Sequence, residues 1–548
     1  MSKSQLQWSN ETFSQSAWLS RLDDHIPGGE QGRNALFAIF SLFFVYQILF
    51  ASSQDPREPK LIKSRVPILG HIVGIYKHGS RHFTWIAYTG LPIYLLPVIG
   101  GGRIAIANTP EVLSAIDKNP TAVAFIPLAA LVIKKLSGLS SAGKKILCGK
   151  TAGPDRHEGY MHILSKGVHS TLAPGRSLDA IHELHGKTTR INVLHWFRHA
   201  FGISSTDGTY GPGNPFKDPK VEAGFWCEPP FIQTFDFKTT DQISAVSRAF
   251  DDSISDLLIS PITRLTCPSG HKGRADAWAG FEKYFANGDH EQGSDLTKSR
   301  YKTAAGLGMN NLDIAKLEVT MIIGILTNTV PTIFWAVYYV YRDSSLLEKL
   351  RQEISAVAIR GKNEKTGAPA WTLPTSTLKG KCPLLTAVIN ETLRHRTCEI
   401  SSRMVTEDCV LNNKYFLKKG TVCELPNNVL HSNEAYWGPT VNEFDPTRFL
   451  KDASSKEARM ARGAFRPFGG GVSRCTGQYQ AMSQMIGGLA LLIMSNDCAP
   501  ADGGEWKFPG AHGHTIAAAV DLPSTDLWLD VSPRKGYEDD VWKLDPKL

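Results

Sequence analysis

The chain has 548 residues, of which 42% are apolar and 20% charged, and its formal net charge at neutral pH is +8. This composition excludes a disordered chain, a collagen-like fibre and a disulfide-stapled miniprotein. The basic excess comes without a lysine-rich tail or an alternation of aromatic and basic residues, which argues against nucleic acid as a partner and favours a membrane surface or an acidic protein.

An uncharged apolar segment at residues 34–53 predicts a transmembrane anchor. As a helix it extends about 30 Å, the thickness of the hydrocarbon core of a bilayer. The mixed polar residues that precede it, and the lack of a small-residue cleavage site after it, favour a retained anchor over a cleaved signal peptide. Four basic residues follow the span: Arg57, Lys60, Lys63 and Arg65. The positive-inside rule therefore predicts a lumenal segment at 1–33 and a cytosolic remainder.

A glycosylation sequon, Asn10-Glu11-Thr12, lies in the predicted lumenal segment. Such triplets also occur by chance, so Asn10 is a candidate site whose occupancy the sequence leaves open. Prolines make residues 54–70 a stiff connector between the membrane and the domain predicted at 71–548.

The rest of the chain predicts a mainly helical fold with small β-sheets. Residues 92–107 have the pattern of a hairpin, and Thr109-Pro110-Glu111 is typical of a helix start. Apolar residues recur with helical spacing from about 157 to 365, and strand candidates return near 404–411 and 516–529. Residues 321–341 are uncharged and long enough for a second transmembrane helix, but Asn328 and Pro331 within them favour a buried core helix.

A glycine-rich loop carries the most specific motif, FGGGVSRCTG at residues 468–477, followed by an apolar helical run. Glycines allow tight turns and close approach to a flat ligand. A cysteine at the N-terminus of a helix is stabilised as a thiolate by free N–H groups, so Cys475 is a candidate metal ligand. The nine cysteines are widely spaced and contain no CxxC pair, which argues against a zinc ribbon and indicates a reducing compartment.

Two further motifs precede this loop at characteristic gaps. Glu391 and Arg394 form an ExxR pair on one helix face, a pattern that alone would indicate an ordinary surface ion pair. Arg448 then follows in FDPTRF. The order of ExxR, FxPxRF and FGGGxxxCxG resembles the cytochrome P450 superfamily of haem-thiolate monooxygenases over most of the chain.

The resemblance implies the cytochrome P450 fold, a haem b cofactor and a set of site residues. It makes Cys475 the axial ligand of the haem iron, and Glu391, Arg394 and Arg448 the buried charged cluster beneath the haem. It also implies haem contacts at six further residues: Phe468, Gly469, Gly471, Gly477, Arg403 and Arg474. Many members carry an arginine two residues before the cysteine, where this chain has Ser473.

The long central helix departs from the usual family pattern. Thr327 and Asn328 stand where an acid and a threonine are common, and Asn328, Thr329 and Pro331 resemble the branch of bile-acid hydroxylases and prostacyclin synthase and many fungal enzymes. Pro331 cannot donate to the carbonyl of Thr327, so the helix is expected to open there. Thr327, Asn328 and Thr329 are therefore candidate catalytic residues, with a packing kink as the alternative.

The resemblance implies a membrane-anchored monooxygenase of the endoplasmic reticulum, with a single transmembrane helix and a cytosolic haem domain. It would oxidise a lipophilic small molecule, such as a terpenoid, steroid or polyketide of fungal secondary metabolism. O2 and electrons from NADPH are needed, and the chain has no flavin or nicotinamide motif, so a partner reductase is expected. Basic residues for its docking are Lys451, Lys456, Arg459, Arg462, Arg466 and Arg474.

Two other functions remain open from the sequence. The missing acid and threonine permit a haem-thiolate isomerase or dehydratase that acts without a reductase. A haem-binding sensor without catalytic activity is the third possibility.

Overall fold

A computed structural model describes most of the chain after residue 53. The described ranges are 54–64, 71–87, 90–98, 102–151, 154–164, 188–226, 267–363, 367–452, 454–501, 503–511 and 518–545, together with isolated positions elsewhere. Most of the predicted anchor at 34–53, the sequon at Asn10 and the end of the connector lie outside the described residues.

Helices dominate these ranges. In chain order they are α1 (Ile72–His78), α2 (Arg81–Ala87), α3 (Pro110–Asp117), α4 (Ile126–Ser137), α5 (Ser141–Cys148), α6 (Val193–Tyr210), α7 (Pro219–Trp226), α8 (Pro268–Ala286), α9 (Asp295–Gly306), α10 (Asn311–Leu326), α11 (Thr329–Tyr341), α12 (Ser344–Ser355), α13 (Thr375–Lys381), α14 (Pro383–Arg396), α15 (Asn427–His431), α16 (Glu434–Trp437), α17 (Lys456–Ala464) and α18 (Gln478–Ser495).

The strands are short and form four small sheets among the described residues. In chain order they are β1 (Ile93–Pro97), β2 (Arg103–Ala107), β3 (Val123–Ala124), β4 (Thr189–Asn192), β5 (Ile359–Lys362), β6 (Pro369–Pro374), β7 (Ile400–Val405), β8 (Cys409–Leu411), β9 (Tyr415–Leu417), β10 (Val422–Pro426), β11 (Asn496–Pro500), β12 (Trp528–Pro533) and β13 (Val541–Asp545). The largest sheet has the order β1-β2-β10-β7-β3; the others are β11-β12-β4, β13-β6-β5 and β8-β9.

The predicted hairpin and the helix after it are confirmed. β1 pairs antiparallel with β2, and α3 begins at Pro110 after the extended residue Thr109. The predicted strand at 516–529 is wrong for most of its length, because β12 begins only at Trp528. In the described part of the earlier segment, residues 518–527, the one β-bridge joins Val520 to Thr397.

The apolar segment at 321–341 lies in the core, as the sequence predicts. The pair α10 and α11, over Asn311–Tyr341, is long and apolar enough to cross a membrane, yet 67% of its most apolar window is buried by the rest of the protein. Every residue of α11 is buried. A helix that is apolar on all sides is stabilised here by helices packed around it.

Two glycines set the contact between α7 and α8. A Cβ atom added at Gly224 would lie 2.7 Å from the carbonyl oxygen of Gly273, far inside the normal contact distance. Each glycine therefore allows the backbone of the other helix to approach closely.

We expect Gly224→Ala to destabilise the fold by about 1–3 kcal/mol, because the new methyl group must displace the backbone of α8. The matched control is Gly380→Ala in α13, where an added Cβ atom meets no atom within 4 Å. That change should raise stability slightly through the better helix propensity of alanine. Denaturant unfolding followed by circular dichroism measures both, and equal midpoints for the two variants would contradict the close-contact explanation.

Candidate functional site

One large cavity of about 1370 Å³ lies at the centre of the described structure. Its wall is built by α4, by the junction of α10 and α11, by β7, by the cysteine loop and by the tail residues Ala519 and Val520. The volume exceeds the range of about 300–1,000 Å³ that is typical for one small ligand. The cavity therefore has room for a flat cofactor and a substrate together.

Cys475 lies on this wall just before α18 begins at Gln478. Its backbone N–H donates to the carbonyl of Phe468 at 2.9 Å, which closes the loop, and its residue is exposed although it lies inside the molecule. Burial raises the pKa of the thiol, whereas the amides of Gly477 and Gln478, which hydrogen-bond to the sulfur, lower it. The two amides thus stabilise a thiolate at Cys475 once a bound metal ion offsets the rise in pKa that burial causes.

The glycines of the loop permit backbone angles with positive φ and close approach to neighbouring groups. Gly469 and Gly471 have φ values of +69° and +61°, which other residues adopt only with strain. Gly469 lies on the cavity wall with Phe468 and Gly477. Gly471 instead faces α3, because an added Cβ atom would lie 2.9 Å from Cβ of Asp117.

The structure brings Glu391, Arg394 and Arg448 together. Two parallel hydrogen bonds of 2.7 Å join Arg394 to both carboxylate oxygens of Glu391. Nε of Arg448 lies 3.4 Å from the same carboxylate, which also accepts the backbone N–H of Asp445 at 3.0 Å. Glu391 has no solvent exposure. The ExxR pair is therefore a buried cluster and not an ordinary surface ion pair.

The guanidinium groups of this cluster also bind backbone carbonyls. Arg394 donates to the carbonyls of His431 at 2.9 Å and Glu443 at 3.3 Å. Arg448 donates to the carbonyl of Trp437 at 2.8 Å and to the hydroxyl of Thr440 at 2.7 Å. The cluster thereby fixes α14 against the segment from α15 to Arg448, which leads to the cysteine loop.

Arg403 and Arg474 both reach the cavity wall, in different environments. Arg403, on β7, is 3% exposed, and its Nη1 donates to Ser401 Oγ at 3.0 Å and to the carbonyl of Ser402 at 2.9 Å. Among the described residues, its Nε and Nη2 donate to no protein acceptor. They could bind a carboxylate inside the cavity. Arg474, by contrast, is exposed.

Glu399 is a half-buried acid on the same wall that sequence reasoning missed. Burial raises its pKa to about 7, although Arg403 and a hydrogen bond from Asn427 Nδ2 at 3.1 Å oppose that rise. It belongs to none of the three motifs. Its burial follows from how β7 and α15 meet, so no local pattern could have identified it.

The central helix opens where the sequence predicts. α10 ends at Leu326 and α11 begins at Thr329. The side chain of Asn328 connects the break to the tail, since its Oδ1 accepts the backbone N–H of Ala519 at 2.8 Å. The carbonyl of Ala519 in turn accepts the N–H of Cys398 at 2.8 Å. Asn328 and Thr329 lie on the cavity wall, while Thr327 is buried outside it.

Two further segments contribute residues to the cavity wall. Phe125 with its neighbours and Glu399 with Ser401 line the cavity. Phe225 does not, because it packs with its ring centroid 5.5 Å from that of Phe216. Residues 227–240 lie outside the described structure.

The described residues fit a haem. The thiol of Cys475 faces a cavity large enough for the macrocycle, and Phe468 stands beside it on the wall. The free N–H groups of Arg403 suit a propionate. Haem would attach here at two points, its iron to the thiolate and a propionate to the guanidinium.

We expect Glu391→Gln to destabilise the fold by about 3–5 kcal/mol, because it leaves the charges of Arg394 and Arg448 buried without a counterion. The control is Glu158→Gln, which removes a carboxylate from the exposed ion pair with Lys150. Denaturant unfolding should give a lower midpoint for the first variant and an unchanged midpoint for the second. Equal midpoints would show that the cluster contributes no more than a surface pair.

Comparison with known proteins agrees with this site. A family model described as Cytochrome P450 matches residues 287–507. The chain is 29% identical over 507 residues to the cytochrome P450 monooxygenase nodJ of Hypoxylon pulicicidum, covering 91% of this chain and 94% of that protein. It is 24% identical over 528 residues to a cytochrome P450 monooxygenase of Gibberella zeae, covering 92% and 95%. It is 25% identical over 500 residues to mouse cytochrome P450 7B1, covering 86% and 90%.

The matched family segment contains Cys475 on the cavity wall and the buried cluster of Glu391, Arg394 and Arg448. The relatives span nearly the whole chain, so the likeness extends beyond these motifs. Residues 287–507 match the cytochrome P450 family model, and over nearly its whole length the chain is similar to monooxygenases of the cytochrome P450 superfamily.

Proposed function

We propose that this protein is a membrane-anchored haem-thiolate monooxygenase that oxidises a lipophilic small molecule of fungal secondary metabolism. The observation that carries the proposal is the accessible thiol of Cys475 in a cavity with room for both haem and substrate. The nodJ relative from Hypoxylon pulicicidum and the monooxygenase from Gibberella zeae support the fungal assignment. A terpenoid, steroid or polyketide-like substrate suits the largely apolar wall.

Haem bound through a cysteine thiolate supplies the activation of O2 for insertion of one oxygen atom into an unactivated carbon–hydrogen bond. Cys475 would hold the iron, and the amides of Gly477 and Gln478 would stabilise negative charge on its sulfur. Arg403 would hold a propionate with its free N–H groups. Apolar wall residues such as Phe125, Ile133 and Met321 would exclude water around the substrate.

Asn328 would provide the polar group at the helix break. Because its Oδ1 accepts from Ala519, the side-chain Nδ2 group is oriented as a hydrogen-bond donor. Thr329 stands beside it on the wall, but its hydroxyl donates to the carbonyl of Ile325 at 3.1 Å. An amide donor in this position would orient dioxygen or an ordered water without itself giving up a proton.

Electrons would come from NADPH through a partner reductase of the endoplasmic reticulum membrane. A large aromatic side chain is exposed just after the cysteine loop, where Tyr479 is 64% exposed. The ammonium group of Lys379 lies 4.7 Å from the centre of the Tyr479 ring. An apolar patch edged by cations suits an acidic redox partner. Arg466 is not part of that edge, because it forms an internal ion pair of 2.9 Å with Asp117.

The proposal is tested by replacing the sulfur ligand. We expect Cys475→Ser to lose the long-wavelength absorption of the reduced, carbon-monoxide-treated protein and to lose turnover, because a serine hydroxyl does not supply a thiolate. The control Cys148→Ser changes a cysteine that is not on the cavity wall. Turnover is measured as product that has gained one oxygen atom, with a reductase, NADPH and a metabolite extract.

Other outcomes would favour the other functions. Product formed without NADPH or O2 would identify an isomerase or dehydratase. Haem uptake with neither product nor a substrate-induced spectral change would identify a sensor. A Cys475→Ser variant with normal absorption and activity would refute the assignment of the ligand.

We expect the charge reversal Lys379→Glu with Lys456→Glu to slow reductase-supported turnover by roughly tenfold at low salt, through weaker electrostatic attraction. The salt dependence of the rate should decrease in parallel. The control pair Lys283→Glu with Lys302→Glu makes the same change on exposed positions of α8 and α9. Stopped-flow reduction measures both pairs, and equal rates for the two would remove the docking surface from this part of the protein.

A further inference from the structure

A buried ion pair reaches the cavity wall on the side of α9 and α10. Arg300 is 5% exposed and Glu318 is 2% exposed, and Nε of Arg300 donates to Oε1 of Glu318 at 2.6 Å. The other oxygen of Glu318 accepts the hydroxyl of Tyr210 at 3.1 Å. Both oxygens of Glu318 are therefore occupied within the protein.

The guanidinium of Arg300 is only partly satisfied. It carries five N–H donors, and among the described residues only the one on Nε has a protein acceptor. Arg300 lines the cavity, so the four N–H groups of Nη1 and Nη2 can take acceptors from it. Donors buried without acceptors are costly, particularly on a charged group. Oxygen atoms of a molecule in the cavity can accept from these N–H groups.

The surroundings limit the chemistry of that acceptor. Glu318 already neutralises the charge of Arg300, so a second carboxylate would bring excess negative charge into a buried site. Tyr160, 2% exposed, stands on the same wall and adds a hydroxyl. Leu147, Leu164 and Leu317 add apolar surface to the wall. A neutral oxygen on a hydrocarbon skeleton fits these groups best.

The pair also lies far from the helix break. Glu318 precedes Asn328 by ten positions on the central helix, which corresponds to about 15 Å along its axis. Wall residues continue between them, namely Thr320, Met321, Gly324 and Ile325. The cavity is thus long enough for an extended molecule with one end at Arg300 and the other beside Asn328.

We propose that Arg300, with Tyr160, binds a ketone or hydroxyl oxygen at one end of an elongated lipophilic substrate and so presents its other end for oxidation. This inference rests on the proposed monooxygenase function. It assigns to the substrate an oxygen function that is present before this enzyme acts. An earlier step that adds oxygen from O2 or water, or that retains a precursor carbonyl, must therefore supply it.

The test is equilibrium dialysis of the haem-loaded enzyme with two matched series of probes. One series is dodecane, dodecanone and dodecanoate; the other is androstane, androstanone and androstane carboxylate. In the natural protein at least one ketone should bind about tenfold or more tightly than its hydrocarbon, the effect of one hydrogen bond to a charged donor.

Three variants locate the effect. The double change Arg300→Met with Glu318→Met removes the donors without leaving an unpaired charge and should abolish the preference for the ketone. If that protein does not fold, Arg300→Lys keeps the ion pair, loses the guanidinium fork and should lower the preference at least threefold. The control Arg274→Lys alters a buried arginine outside the cavity, which donates to the carbonyl of Leu136, and should keep the full preference.

The inference fails if ketone and hydrocarbon bind equally, if no probe binds, if a carboxylate binds most tightly, or if the preference survives the Arg300 changes. Haem content and the absorption of the reduced carbon monoxide complex are recorded in the same samples. Normal absorption with any of these results overturns the Arg300 subsite alone. Absent absorption in the natural protein overturns the proposed function and this inference with it.

Discussion

The buried carboxylate of Glu391 is the constraint on which the cysteine loop depends. It binds Arg394 directly, and Arg394 holds the carbonyl of His431. The ring Nε2 of His431 then accepts the backbone N–H of Arg466 at 3.0 Å, two residues before the loop begins. Burial and the nearby Arg394 lower the pKa of His431 to about 3, so the ring stays neutral and can accept this bond. A chain of hydrogen bonds thus connects the charged cluster to the loop that carries Cys475.

Three charged groups in or near the cavity wall are compensated within the protein. Glu318 offsets Arg300, Asp117 offsets Arg466, and burial keeps Glu399 partly protonated near neutral pH. Among the described residues, Arg403 forms no such ion pair, and its Nε and Nη2 have no protein acceptor. A cavity of this kind receives a lipophilic molecule and the flat face of haem at little electrostatic cost. The guanidinium of Arg403 is left to bind a haem propionate.

The sequence was sufficient for the parts of the site that local chemistry determines. Glu391, Arg394 and Cys475 belong to motifs with fixed spacing, and Pro331 must open a helix wherever it lies inside one. Other features depend on which surfaces meet. Arg466 belongs to a run of basic residues, yet Asp117, 349 positions away, makes it internal.

The substrate end of the cavity shows the same limit. Arg300 and Glu318 are 18 positions apart on successive helices, a spacing that no periodicity connects. Phe225 has the aromatic character of a pocket residue but packs against other aromatic rings instead. The way in which α6, α8, α9 and α10 pack determines that Arg300 faces the cavity and that Phe225 does not.

Ala519 attaches the tail through main-chain atoms: its N–H donates to Asn328, and its carbonyl accepts from Cys398. Side chains at 519 and 520 contribute to the cavity wall without taking part in that link. These two side chains can therefore change during evolution and alter the shape of the pocket. The main-chain bond that attaches the tail to Asn328 is preserved. Because main-chain atoms hold the tail and side chains shape the pocket, a single codon change at either position can alter substrate specificity without loosening the tail.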